Sequence, residues 1–177
     1  MNYDASKVKM VISDVDGVMT DGSIYKGKDG LELKKFSVSD GAGVAFLRAA
    51  GLELALISGR KSEATAERAK ELNIENLYNG TLNKIPPYEA LKRQYNLTDD
   101  QIAYIGDDII DIPVMELAGV PIATDNAVPA TKEVAVYVTQ NGGGYGAFRE
   151  AVEWLLTEQG RLTEVIDLLR EKVQNQK

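Results

Sequence analysis

The chain contains neither cysteine nor histidine. The first absence excludes disulfides, thiolate metal sites and thiol nucleophiles. The second removes the commonest general base, imidazole zinc sites and every Ser-His-Asp triad. Any proton transfer therefore falls to carboxylates, lysine or tyrosine. Cations are in short supply: 20 Lys and Arg against 27 Asp and Glu give a net charge of −7, with a pI near 4.7. That balance argues against nucleic acid or an anionic membrane as a partner. An acidic protein acting on an anion needs local cations or a metal. No apolar run is long enough to span a bilayer and no secretory leader is recognisable, so a soluble cytoplasmic protein is expected. At 177 residues, a single domain over 1–177 with a full core is expected.

Apolar, strand-like runs recur at 8–12, 52–57, 77–78, 102–105 and 120–123, with 136–138 as an edge. Helical patterns fall between them at 43–50, 62–72, 86–95 and 113–118. Gly51 suits a helix C′ position, Ser62 an N-cap and Pro86 a first turn. The alternation predicts an α/β fold with a central parallel sheet and helices on both faces. One segment breaks it. Residues 22–26 and 31–36 flank Gly27-Lys28-Asp29-Gly30 as a β-hairpin. It is either a flap over a nearby site or an ordinary surface hairpin. Residues 161–177 place Leu162, Val165, Ile166, Leu169 and Val173 on one stripe of an amphipathic helix. That helix suits packing on its own domain or an oligomer contact.

Three strand ends carry chemistry. Val11-Ile12-Ser13-Asp14-Val15-Asp16-Gly17 puts two carboxylates two residues apart where a buried strand runs out. Both can face one crevice, at the sheet end where ligands bind in open α/β folds; an Asx-type turn explains the pattern equally well. The strand 54–57 ends at Ser58-Gly59-Arg60, before a helix whose first amides can hold an anion. Taken alone, Ser58 reads as a turn or cap residue. Gly106-Asp107-Asp108 and Asp111 follow a third strand. Three carboxylates there repel one another unless a cation holds them, and hard oxygen ligands favour Mg²⁺. Helix capping explains one of these acids but not the cluster. Lys84, before the Pro86-Pro87 helix start, reads as an exposed lysine unless the acids recruit it.

Taken in order, Asp14-x-Asp16-Gly17-x-x-Thr20, strand–Ser58, Lys84 and Gly106-Asp107-Asp108-x-x-Asp111 resemble the four motifs of the haloacid dehalogenase superfamily of phosphatases. The stretches Asp14 to Gly22, Phe36-x-Val38-x-Asp40-Gly41-x-Gly43 and Gly143-Gly144-x-Gly146-Ala147-x-Arg149-Glu150 narrow this to the capless 3-deoxy-D-manno-octulosonate 8-phosphate (KDO 8-phosphate) phosphatases. The resemblance implies a three-layer, Rossmann-like (HAD-like) fold with a hairpin flap at 22–36 and no large cap domain. It implies a homotetramer in which each flap helps to close a neighbouring site, and a part in lipopolysaccharide biosynthesis. Asp14 would be the nucleophile and Asp16 the general acid and base. Mg²⁺ would sit between the Asp14 carboxylate, the Asp16 backbone carbonyl and Asp107. Ser58, the Gly59 amide and Lys84 would hold the phosphate, with Asp108 and Asp111 in support. The substrate would be a phosphorylated sugar acid whose carboxylate calls for a cation. Arg60 is the first candidate and Arg68 the second, although both also suit solvated helix charges.

Three other readings stand beside this one: the same class of enzyme on another sugar phosphate, a signalling module, and a catalytically dead binding homologue, against which all the motif residues are present. A capless phosphatase for a nine-carbon, sialic-acid-like 9-phosphate shares the four motifs but carries glutamate at the position of Arg60. Receiver domains of signalling proteins use an acidic pair, an acceptor aspartate, a Ser/Thr, a lysine and Mg²⁺. A receiver's acceptor lacks a +2 partner, however, and the second acid here is what turnover requires.

Overall fold

Six short strands, the central ones apolar on both faces, assemble into one sheet, and two more form a separate hairpin. The structure, a computed structural model, describes residues 3–175. Strand β1 (Met10–Ser13) is buried at every position, as expected for a strand covered on both faces. It is followed by β2 (Tyr25–Lys26) and β3 (Glu32–Leu33), then α1 (Val38–Ala49). The rest alternates: β4 (Glu53–Ser58), α2 (Glu63–Glu71), β5 (Asn76–Asn79), α3 (Ile85–Tyr95), β6 (Ile102–Gly106), α4 (Ile112–Met115), β7 (Val120–Ala123), α5 (Pro129–Glu133) and β8 (Tyr137–Val138). Two helices, α6 (Ala147–Glu158) and α7 (Leu162–Gln174), close the chain. The sheet runs in the order β5-β4-β1-β6-β7-β8, and all its pairings are parallel.

Alternation along β1 divides the core in two. Val11 faces a cluster with Val44 and Leu47 of α1, Phe148, Val152 and Leu155 of α6, and Val165 of α7. Met10 and Ile12 face the other way, against Tyr88 and Leu91 of α3 and Val114 and Met115 of α4. Each fully buried aliphatic side chain of this kind contributes about 1.5–3 kcal/mol relative to leaving it exposed. The three-layer architecture matches expectation, and no large cap domain is present among the described residues.

Several helix boundaries differ from the periodicity of the sequence. Helix α1 begins at Val38 rather than 43, because the Ser37 side chain accepts from the Ser39 amide and sets the helix start. Helix α4 is a single turn, shorter than the 113–118 expected. Helices α5 and α6 were not expected at all. Ser62 is the N-cap of α2, but its hydroxyl makes no capping bond. The hairpin pairs only Tyr25 with Leu33 and Lys26 with Glu32, and one further bridge joins Thr20 to Phe36. Its turn places both Asp29 and Gly30 at positive φ, as a tight hairpin requires. The expected carboxyl-terminal helix is α7; its last two positions, 176 and 177, lie outside the described residues.

Candidate active site

The three central strands of the sheet, β4-β1-β6, end at Ser58, Ser13 and Gly106. Asp14 and Asp107 follow directly on the last two. The topology thus gathers the sequence motifs at one end of the sheet.

The floor of the site is a buried ionic network. Lys84 Nζ lies 2.9 Å from Asp14 Oδ1 and 2.6 Å from Asp111 Oδ1, and its side chain has no exposed surface. Asp111 also accepts from the Tyr104 hydroxyl at 2.7 Å and from the amides of Asp107 and Asp108 at 3.0 and 3.2 Å. All its acceptor capacity is spent within the protein. Asp14 Oδ1 accepts from the Val15 amide, and among the described residues no hydrogen bond reaches its Oδ2. Burial opposes the charge on Lys84, but Asp14 and Asp111 outweigh it and hold the ammonium above its usual pKa. Burial pushes the Asp14 carboxyl up to about 7 against the pull of Lys84. Burial and the Asp14 and Asp111 charges push Asp107 up to about 8.

These residues fit a divalent cation. Carboxylate oxygens of Asp14, Asp107 and Asp111 lie within 4.8 Å of one another, and one lysine cannot balance three acids. Asp107 Oδ1 is buried with no hydrogen-bond partner. Since Asp111 is saturated, the open lone pairs belong to Asp14 and Asp107. Hard oxygen donors of this type suit Mg²⁺.

The loop carrying Asp14 and Asp16 is held by packing that the motif alone does not reveal. Thr20 Oγ1 accepts from the Gly17 and Gly22 amides. Asn126 donates to the Gly17 carbonyl at 2.9 Å. Gly17 sits at φ +94°, and any Cβ there would run into the Asp107 carboxylate. Gly143 presses on the Gly17 carbonyl with no space for a side chain. Asp40 accepts from the Gly146 and Arg149 amides, tying α1 to the turn that begins α6.

The rim carries the remaining expected residues. Ser58 Oγ lies 3.5 Å from Asp16 Oδ2 and donates to the Arg60 carbonyl. Gly59 leaves little space toward Ile110 and Leu82. Arg60 is 44% exposed and pairs with Glu32 of the hairpin at 2.8 Å. Arg68 is committed elsewhere, to Glu71 at 2.8 Å and to the Ser37 carbonyl at 3.2 Å. Asp108 turns outward; its Oδ1 accepts from the Ile109 amide, and it does not join the cluster. One residue that motif reading missed is Lys34 of the hairpin, whose Nζ lies 2.6 Å from Asp16 Oδ1 with its side chain wholly covered. The period-2 spacing of Glu32 and Lys34 in the hairpin was the available signal.

Known proteins resemble the chain in both sequence and structure. The model of the haloacid dehalogenase-like hydrolases matches residues 76–143. The 3-deoxy-D-manno-octulosonate 8-phosphate phosphatase KdsC of Escherichia coli is 42% identical over 160 residues, covering 90% of this chain and 85% of its own. A crystal structure of the phosphatase of that name from Yersinia pestis superposes with a TM-score of 0.87 at 41% identity, over 90% of this chain and 86% of that one. The Moraxella catarrhalis phosphatase, in complex with magnesium ion, phosphate ion and KDO, gives a TM-score of 0.89 at 36% identity, over 94% and 95% of the two chains.

Proposed function

The chain belongs to the 3-deoxy-D-manno-octulosonate 8-phosphate phosphatases, within the haloacid dehalogenase-like hydrolases, and from that premise we propose how its own residues carry the reaction. It is a Mg²⁺-dependent phosphomonoester hydrolase that converts KDO 8-phosphate into KDO and phosphate. The observation that carries this reading is the convergence of Asp14, Asp107 and Lys84 at the end of the central strands.

Asp14 attacks phosphorus through the oxygen that Lys84 and the Val15 amide leave free. A phosphorus–oxygen bond forms on Asp14 as the bond to the sugar oxygen breaks. Asp16 donates its proton to the departing oxygen. It then takes a proton from the water that attacks the aspartyl-phosphate and regenerates Asp14. Asp14 and Asp107, with the Asp16 carbonyl, would hold Mg²⁺, which supplies charge neutralisation for the phosphoryl group. Lys84, Ser58 and the Gly59 amide bind phosphate oxygens, and Asp111 holds Lys84 in place. Asp108, facing outward, contributes only to the loop.

Arg60 is the cation for the sugar carboxylate, because it borders Ser58 and stays accessible. Arg68, tied to Glu71 and Ser37, is the weaker candidate. The chain assembles as a homotetramer whose hairpin tips reach neighbouring sites; the exposed Ile24, Tyr25, Leu31 and Leu33 at the tip support this. The product serves lipopolysaccharide synthesis in the cytoplasm. No helix among the described residues is long and apolar enough to cross a membrane.

Phosphate release with and without Mg²⁺ from KDO 8-phosphate, the nine-carbon 9-phosphate, a hexose phosphate and an aryl phosphate tests the assignment. A strong Mg²⁺-dependent preference for the eight-carbon substrate is expected. A preference for the nine-carbon substrate would reassign it.

A further inference from the structure

Two lysines serve the two carboxylates of the Asp-x-Asp pair, and they come from different parts of the molecule. Lys84, at the start of α3, holds Asp14. Lys34 comes from the hairpin. Its Nζ lies 2.6 and 2.8 Å from the two Asp16 carboxylate oxygens and 3.1 Å from Thr65 Oγ1 on α2. The Lys34 side chain has no exposed surface, whereas the adjacent Leu33 is 55% exposed. Glu32, two residues earlier, meets Arg60 at 2.8 Å. The segment therefore lies across the crevice with alternate side chains turned inward.

An ammonium with no exposed surface must be met by acceptors of the protein, or its burial costs several kcal/mol. Among the described residues, Asp16 is the acid that pairs with Lys34. The dependence is mutual. Among the described residues, the only other side-chain hydrogen bond to the Asp16 carboxyl is from Ser58 Oγ, at 3.5 Å, which is marginal. Asp16 is thus aimed from the flap, not from the sheet that carries it.

We propose that Lys34 is a positioning residue that orients the Asp16 carboxyl toward the leaving-group oxygen, so that proton delivery depends on the base of the flap being seated. The inference rests on the role given to Asp16 above. In the transfer step the Asp16 proton goes to the sugar oxygen as its bond to phosphorus breaks, and the electron pair of that bond stays on the same oxygen. An alkoxide needs that proton; a nitrophenolate leaves without it.

The test is the first-turnover rate of leaving-group release from Mg²⁺-loaded enzyme, with KDO 8-phosphate and with 4-nitrophenyl phosphate. For Lys34→Met the expected loss is about 10–100-fold on the sugar phosphate, with KM little changed, and under about 3-fold on the aryl phosphate. Lys34→Arg should recover part of the loss. Equal losses on both substrates, no loss on either, or a raised KM at unchanged rate would each overturn the proposal. If Lys34→Met does not fold, Lys34→Gln is read by the same criteria. Asp16→Asn separates the two layers of the argument. Without a leaving-group split in Asp16→Asn, the acid role of Asp16 fails. A split in Asp16→Asn but not in the Lys34 variants refutes Lys34 alone.

Discussion

The floor and the rim of the site are built on opposite principles. On the floor, Lys84, Asp111 and Tyr104 are buried and bonded to one another from the start of α3, the start of α4 and strand β6. At the rim, Arg60 and Glu32 form a partly exposed pair, joining the sheet to a hairpin that has only two paired positions per strand. A fixed floor suits chemistry on phosphorus, where small misplacements are costly. An exchangeable rim suits recognition of the sugar, because surface pairs are worth about 0–1 kcal/mol and can be traded for substrate contacts.

If that division holds, perturbing the floor should damage every substrate, and perturbing the rim should damage only some. The largest effect is expected from Asp14→Asn, which keeps the shape and removes the proposed nucleophile. Turnover should fall by at least ~10³-fold on all substrates while circular dichroism stays native. Next comes Lys84→Met, which leaves Asp14 and Asp111 buried and unpaired. It should cost about 3–5 kcal/mol in denaturant unfolding and abolish activity on sugar and aryl phosphates alike.

Mg²⁺ binding gives a smaller, graded effect with a definite sign. The metal-free folded protein keeps protons on Asp14 and Asp107, with pKa values near 7 and 8, that the unfolded chain has lost above about pH 4. Metal-free stability should therefore decline as pH rises through that window. Mg²⁺ must displace those protons, so its affinity should fall by up to ~10-fold per pH unit per proton between pH 8 and 6. Calorimetric titration checks the affinity. The thermal shift caused by Mg²⁺ should grow from pH 6 to 8, and a shift independent of pH would contradict the protonated floor.

The rim variants come last. Arg60→Ala should raise KM for KDO 8-phosphate by about 10-fold, through loss of one charge-assisted contact, and leave an aryl phosphate within about 2-fold. Glu32→Gln releases Arg60 and should lower KM for the sugar acid by no more than about 5-fold. Equal responses on both substrates would erase the distinction between floor and rim.

The floor was largely legible in the sequence and the rim was not. Asp14 and Asp107 follow directly on apolar strands, where topology dictates their convergence, and Asp111 follows within the same loop, at the start of α4. Lys84 was ambiguous alone, because its burial depends on Asp111 reaching back from α4. Asp108 looked equivalent to its neighbours, yet it lies in the turn before α4, exposed, with its Oδ1 accepting from the Ile109 amide. Lys34 and Arg60 depend on how a short, exposed hairpin folds over α2; the period-2 spacing of Glu32 and Lys34 puts both on one face but does not say which acid or cation that face meets. Helix α6 went unread because its start is fixed from a distance, by Asp40 accepting the Gly146 and Arg149 amides.

The most direct test of the account is to trap the covalent state. Enzyme quenched within one turnover of KDO 8-phosphate and reduced with borohydride should yield homoserine at position 14, detectable by peptide mass spectrometry. Homoserine at another aspartate, or an unmodified Asp14 under conditions where phosphate is released, would contradict a floor built around Asp14 as nucleophile.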